Sequence, residues 1–256
     1  MAPRPVIAGN WKMFGSRAMA DAYAAGLQQK LAAARPRGDL VICPPASLIG
    51  DLARALAGSG VGIGGQDCHS EATGAHTGDI AAPMIADAGG GWVIVGHSER
   101  RAAHGESDTE VAAKAAAAHA AGLIAIICVG ESAAEREKGE AQAVVARQIA
   151  GSVPSGAGAA NSVVAYEPIW AIGTGVTPTA SDIADMHRHI RACVRKNMTD
   201  PDGVRLLYGG SVKRANAREI LATAEVNGVL VGGASLELEE FWAIAEACPL
   251  ARIGFA

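Results

Sequence analysis

Val163-Val164-Ala165-Tyr166-Glu167-Pro168-Ile169-Trp170-Ala171-Ile172-Gly173-Thr174-Gly175 joins a short apolar strand to an apolar, glycine-ended loop. Pro168 disfavours helical geometry at Glu167, so the chain stays extended until the carboxylate is presented. Glu167 therefore stands at the carboxyl end of a strand, beside a greasy loop able to exclude water from it. Alanine-rich sequence of helical period follows from Ala180 to Asn197. The whole stretch is one strand–loop–helix unit with a carboxylate at its turn.

The same unit recurs along the chain. Apolar strands are expected at Pro5 to Asn10, Leu40 to Cys43, Val61 to Gly65, Trp92 to Gly96, Leu123 to Val129, Val163 to Tyr166, Arg205 to Tyr208 and Gly228 to Val231. Helical patterns lie between them, at Arg17 to Ala34, Ala46 to Leu56, Pro83 to Ala88, Ser107 to Ala121, Glu140 to Gly151, Ala180 to Asn197, Arg214 to Thr223 and Leu238 to Ala247. Near-continuous apolar strands alternating with helices make a parallel sheet covered on its outer face. Eight such units in 256 residues specify an α/β fold, a single-domain (β/α)8 barrel over residues 1–256. The runner-up, a doubly wound open sheet, would want a GxGxxG turn after the first strand. The first strand runs instead into Gly9-Asn10-Trp11-Lys12. No linker and no shift in composition divides the chain.

Half of the residues are hydrophobic, 19% are charged and the formal net charge is -4. No stretch of Lys and Arg stands out, which argues against nucleic acid or an acidic membrane as a partner. The longest apolar runs, such as Leu123 to Val129, are of strand length and too short to span a bilayer. The 5 cysteines form no CxxC pair, and the expected compartment is reducing, the cytoplasm.

In a barrel, the face at the carboxyl ends of the strands carries the chemistry. Asn10 and Lys12 follow the first strand, and His97, Ser98, Glu99 and Arg100 the fourth. Glu131 and Ser132 follow the fifth, Glu167 the sixth, Gly209-Gly210-Ser211 the seventh, and Gly232-Gly233 the eighth. Taken singly, each has a plain alternative: a solvated lysine, a structural histidine, a turn. Taken together they supply a base, a cation, a hydrogen-bond donor and glycine backbone that an anion can approach. That set suits removal of a proton next to a carbonyl, with donors already in place for the resulting oxyanion. It calls for no metal and no cofactor. His187 and His189 face different ways on a helix, and His69 and His76 lie in a polar loop without convincing ligand spacing.

Asn10-Trp11-Lys12, Gly96-His97-Ser98-Glu99-Arg100-Arg101, Tyr166-Glu167-Pro168-Ile169-Trp170-Ala171-Ile172-Gly173-Thr174-Gly175, Tyr208-Gly209-Gly210-Ser211-Val212 and Leu230-Val231-Gly232-Gly233-Ala234-Ser235-Leu236 closely resemble the signatures of the triosephosphate isomerases, in order and over the whole chain. The resemblance implies interconversion of dihydroxyacetone phosphate and D-glyceraldehyde 3-phosphate through an enediolate. It implies Glu167 as base, His97 as neutral electrophile and proton shuttle, and Lys12 as electrostatic partner of the substrate. Glu99 would hold Lys12, and Asn10 would orient both Lys12 and substrate. Gly173, Ser211, Gly232 and Gly233 would bind phosphate, residues 168–178 would form a closing lid, and Ser98, Cys128 and Tyr208 would support the site. The resemblance also implies a homodimer in which the long loop Gln66 to Gly78, with Thr77 at its tip, reaches the partner, and Glu106 matches an interface position. Without the resemblance, that loop reads as a flexible surface loop.

Three departures from the family pattern stand out. Met13 replaces a common interface cysteine, Asn227 replaces an aspartate that usually pairs with the arginine matching Arg191, and Pro178 replaces a common alanine near the far hinge of the lid. The Asn227 change puts that salt bridge in doubt. At Pro178 the ring removes the backbone N–H that usually meets the hydroxyl of the residue matching Tyr208. Two other functions compete: an aldolase-like barrel using Lys12 as a Schiff-base nucleophile, and a non-catalytic phosphosugar-binding module. Retention of both Glu167 and His97 argues against the second.

Overall fold

The computed structural model describes residues 3–172 and 178–249. Its strands are β1 (Val6–Asn10), β2 (Asp39–Cys43), β3 (Gly62–Gly65), β4 (Trp92–Val95), β5 (Ile124–Val129), β6 (Ser162–Tyr166), β7 (Arg205–Tyr208) and β8 (Gly228–Val231). All pair in parallel, each with its neighbours in sequence, and β8 pairs back to β1 to close the barrel. Every strand lies within a residue of its expected bounds. Among the described residues no helix is long and apolar enough to cross a membrane.

Closure explains why the strands read as unbroken apolar runs. Alternate residues point inward and outward, and both faces are buried. Val6, Ala8, Val41, Ile94, Ile126, Val163 and Leu207 fill the barrel. Their neighbours Ile7, Ile42, Val93, Val95, Ile127, Val164 and Leu206 pack against the outer helices.

The helices are α1 (Arg17–Ala33), α2 (Ile49–Ala55), α3 (Ala82–Asp87), α4 (Ser98–His104), α5 (Asp108–Ala120), α6 (Ala133–Glu137), α7 (Ala141–Ser152), α8 (Ala180–Asn197), α9 (Ala217–Ala222) and α10 (Leu238–Glu246). Side-chain caps fix several starts: Ser16 accepts from Met19 N, Ser107 from Glu110 N, and Thr179 with Asp182 makes a capping box on α8. Two short helices, α4 and α6, escape the sequence pattern because neither buries a residue and neither carries an apolar stripe. Helix α9 begins at Ala217, three residues later than expected.

The doubt over Arg191 resolves through a different acid. Its Nε donates to Glu225 Oε2 at 2.9 Å, its Nη2 to Asn227 Oδ1 at 2.8 Å, and its Nη1 to the carbonyls of Val204 and Pro201. Arg191 is 4% exposed. Asn227 keeps the hydrogen bond of the lost aspartate and Glu225 supplies the charge. Replacing Arg191 with Met should therefore cost about 3 kcal/mol of stability, since it removes the donor to the Val204 and Pro201 carbonyls and the cation paired with Glu225. Glu225→Ala should cost roughly 1 kcal/mol, because that carboxylate is partly exposed and screened. Urea denaturation of the two variants measures both, and an unchanged midpoint for Glu225→Ala would show that the replacement charge does nothing.

Candidate active site

Asn10, Lys12, His97, Glu167, Ser211, Gly232 and Gly233 line one cavity of about 320 Å³ at the carboxyl ends of the strands. Its volume lies at the small end of the range for ligand sites. Gly173 falls outside the described residues. The remaining expected side chains converge there from β1, β4, β6, β7 and β8.

Glu167 is 2% exposed, and the turn after β4 supplies donors to its charge. The Ser98 backbone N–H donates to Oε2 at 2.9 Å, the Ser98 hydroxyl to Oε1 at 3.1 Å, and His97 Nε2 lies 2.9 Å from Oε1. Burial opposes the charge, but the His97 and Ser98 hydrogen bonds outweigh it and hold the carboxyl below its ordinary value. His97 Nδ1 accepts the Glu99 N–H at 3.2 Å at the start of α4. A neutral imidazole with Nδ1 occupied in this way carries its proton on Nε2, facing Glu167. Burial, and then the nearby Glu167 carboxylate, push the Cys128 thiol well above its ordinary value, so Cys128 is a protonated filler beneath the base.

Two glycines place this pair. Gly96, at φ +65°, turns the chain from β4 into His97, and a Cβ there would lie 2.7 Å from Val111. At Gly130 a Cβ would lie 1.8 Å from the Glu167 carbonyl oxygen. Neither glycine signals its function in the sequence, because Gly96 makes room for Val111 of α5 and Gly130 for the Glu167 carbonyl at the end of β6, contacts made only in the folded chain.

Lys12 sits at φ +52°, a region costly for a side chain of its size. Asn10 Oδ1 accepts the Lys12 N–H at 3.0 Å, and Gln66 Nε2 donates to the Lys12 carbonyl at 2.8 Å and to the Cys43 carbonyl at 2.9 Å. The Lys12 ammonium meets the Glu99 carboxylate. Glu99 thus meets Lys12, the contact that the resemblance implies, and Gln66 is an addition. Its one sequence signal is a position directly after β3.

The two glycine pairs differ. At Gly209 a Cβ would press on Glu167 Cγ at 3.1 Å, and at Gly210 on the Tyr208 hydroxyl at 2.2 Å. Packing therefore explains that pair, and α9 starts too far along to aim its dipole at them. At Gly233 a Cβ would meet nothing within 4 Å, and at Gly232 only Lys12 Cε at 3.6 Å. This pair faces open space and runs straight into the 3₁₀ turn Gly233–Ser235.

Both ends of the loop after Glu167 are tied down. Fully buried Glu131 accepts from Trp170 Nε1 at 2.8 Å and from the Tyr166 hydroxyl at 3.0 Å. Arg136 donates to Glu131 at 3.2 Å and to Asp182 at 2.7 Å, and lays its guanidinium 4.3 Å from the Trp170 ring centroid. One side chain therefore touches Trp170 near one end of the loop and the α8 cap at the other. The Tyr208 hydroxyl is buried with no partner among the described residues, and buried Pro178 has no N–H to offer it.

Removing one donor should weaken the hold on Glu167. In Ser98→Ala the carboxyl loses one charge-assisted hydrogen bond and its pKa rises. The titration of the Glu167 carboxyl, followed by NMR, should then move to higher pH. An unmoved titration would show that the Ser98 hydroxyl does not set the protonation of Glu167.

The profile of the triosephosphate isomerase family matches residues 5–248. A triosephosphate isomerase of Afipia carboxidovorans is 61% identical over 251 residues, covering 96% of this chain and 98% of that protein. One from Rhodopseudomonas palustris is 54% identical, covering 97% and 99%. The crystal structure of triosephosphate isomerase from Bartonella henselae superposes with a TM-score of 0.86 at 44% identity, over 95% of this chain and 98% of that one. With its closed eight-stranded barrel, a family profile over nearly its whole length and relatives more than 50% identical, the chain belongs to the triosephosphate isomerase family.

Proposed function

We propose that this enzyme interconverts dihydroxyacetone phosphate and D-glyceraldehyde 3-phosphate by proton transfer through an enediolate. The observation that carries the proposal is the 2.9 Å approach of His97 Nε2 to Glu167 Oε1, in the cavity that also holds Lys12 and the open Gly232–Gly233 backbone. Glu167 removes the proton from the carbon next to the carbonyl. The carbonyl oxygen becomes an enediolate oxygen, stabilised by the Nε2–H of His97 and the charge of Lys12. Glu167 returns the proton to the neighbouring carbon while His97 moves protons between the two oxygens. This family is itself the standard case of a neutral imidazole in that role. Ser211, Gly232 and Gly233 hold phosphate through backbone amides, together with Gly173 outside the described residues.

A carboxylate accepting three hydrogen bonds is a weak base. Substrate must draw the His97 proton to its own oxygen, and the burial that already opposes charge on Glu167 then makes it a stronger base. Lys12 is engaged with Glu99 and acts as a charge, which favours this reaction over Schiff-base chemistry. In a coupled assay for glyceraldehyde 3-phosphate isomerisation, the wild type should turn over and Glu167→Gln should lose about 10²–10⁴-fold in kcat. Wild-type turnover in that variant would remove Glu167 from the reaction.

The proposal includes a homodimer. Met13 is 93% exposed and lines one surface cavity with Ile80, next to Gln66 at the base of the loop, and Phe14 and Met84 are also exposed. Exposed apolar side chains near a loop that is itself exposed from Glu71 through its tip, Thr77, suit an interface with a second copy of the chain. Glu106 is not on that surface. It is buried in its own chain between Arg100 and Lys114, which reach Asp67 at the base of the loop. The buried, unpaired thiols of all the cysteines fit the reducing cytoplasm. Thr77→Arg, or a loop shortened at its tip, should sediment as a monomer with much reduced activity. Fully active monomers would exclude the cross-subunit role.

A further inference from the structure

The backbone beside Glu167 is held by a side chain from the outer layer of the barrel. The pairing of β5 with β6 runs on past the strand ends, where the Glu167 N–H donates to the Val129 carbonyl at 2.8 Å and the Ile169 N–H to the Glu131 carbonyl at 3.2 Å. Gly130 lies between those two carbonyls, and both of its own polar groups go to Gln148 of α7. Gln148 Oε1 accepts the Gly130 N–H at 2.7 Å, and its Nε2 donates to the Gly130 carbonyl at 3.0 Å. A primary amide offers an acceptor and a donor side by side, which suits both groups of one residue. Gln148 is 8% exposed and is buried with Val145, Ile149 and Ser152 of the same helix. No side chain fits between Gly130 and Glu167, since a Cβ at Gly130 would run into the Glu167 carbonyl.

The geometry points to Gln148 as a positioning residue for the base, acting through Gly130. The inference rests on the reading of Glu167 as the group that moves the proton. Gln148 does not line the cavity. Its amide fixes the peptide groups on either side of Gly130, and Gly130 packs directly on the backbone of Glu167. The Glu167 Cα is thereby set at the distance from which its carboxylate reaches the Ser98 N–H and His97 Nε2, both at 2.9 Å. The same helix is tied to the donors. One turn on from Gln148, the Ser152 hydroxyl accepts from Arg101 Nη2 at 2.9 Å. Arg101 in turn donates to the Gly96 carbonyl, next to His97, at 2.8 Å and to the Cys128 carbonyl at 3.2 Å. Helix α7 therefore holds the donor turn and the base strand against one common support. If Gln148 only satisfied buried backbone, its loss would lower stability and nothing more. If it places the base, its loss slows the chemistry, because a misplacement of about 1 Å is worth on the order of 10²-fold in rate.

In Gln148→Met, which keeps the length of the side chain, kcat for glyceraldehyde 3-phosphate should fall on the order of 10–10²-fold. KM and inhibition by inorganic phosphate should stay as in the wild type, since Ser211, Gly232 and Gly233 follow other strands. Added to Glu167→Gln, the same change should cause no further loss of kcat, because a residue that acts through the base has nothing left to place. Gln148→Glu keeps the test open if Gln148→Met does not fold. Its carboxyl matches the amide only when protonated, since the ionised form offers the Gly130 carbonyl no hydrogen. The ratio of its kcat to that of the wild type should therefore rise as the pH falls from about 9 to about 6, the range in which a buried carboxyl titrates. Wild-type kcat in folded Gln148→Met, a further loss when that change is added to Glu167→Gln, or a flat ratio for Gln148→Glu would overturn the proposal. Wild-type turnover in Glu167→Gln alone is a different outcome, since it removes the base itself.

Discussion

A charge with almost no access to water, set in the mouth of an apolar barrel, is the condition on which the rest of the site depends. Isolated, the Glu167 carboxylate would take up a proton or open the barrel mouth. The chain prevents both by committing parts of three other strands to it. Strand β4 ends in the left-handed turn at Gly96 and delivers His97 and Ser98 as donors. Strands β5 and β7 end in glycines, so that Gly130 and Gly209 can close on Glu167 without a side chain in between. Lys12 and the Gly232 backbone, which come from the two strands that close the barrel, line the same cavity as this carboxylate. A single demand for satisfied charge thus fixes the order of donors around the mouth.

A second buried acid repeats the pattern beneath the loop. Glu131 is fully buried, and its partners are a tyrosine of β6, the indole of Trp170 and the guanidinium of Arg136. Arg136 continues to Asp182, whose carboxyl is held below its ordinary value first by the Thr179 hydroxyl. The two ends of the loop that follows Glu167 therefore share one cation. The planar guanidinium can bond two carboxylates while stacking on an indole, a combination a lysine cannot make. Trp170 and the cap of α8 are thus coupled through Arg136, although eight residues separate Trp170 from Thr179.

Most of the barrel was legible because its signals are local. Each strand is a short apolar run between breakers, and helices such as α8 carry their own caps and apolar faces. The site residues were legible for the same reason, since the carboxyl end of each strand is marked by polar residues in an apolar chain. What stayed hidden depends on closure. Gly130 matters only because Glu167 lies across from it, and Gln66 only because Lys12 and Cys43 turn toward it. Glycine patterning alone gave the Gly209–Gly210 pair to phosphate, whereas packing against Glu167 and Tyr208 accounts for it. Arg191 illustrates the converse: the lost aspartate is plain in the sequence, but its replacement by Glu225 is visible only in the folded chain.

Backbone strain follows the same logic. Among the described residues, only Lys12, Asp200 and Glu225 have positive φ without being glycine. Asp200 sits in a turn, where aspartate tolerates the left-handed region. The other two are charged residues of a kind that seldom accepts it, at a cost on the order of 1–3 kcal/mol each. In both, neighbouring groups over-determine the geometry. Asn10 and Gln66 grip Lys12 on either side of its Cα, and Arg191 holds the Glu225 carboxylate while His187 Nδ1 lies 3.3 Å from its carbonyl. In both, too, the strained residue ends in a charge aimed at a fixed partner, Glu99 in one case and Arg191 in the other. A relaxed backbone at Lys12 would send the side chain elsewhere and take its ammonium out of the cavity. The strain is therefore the means by which a short turn after β1 points a long, flexible side chain at one place.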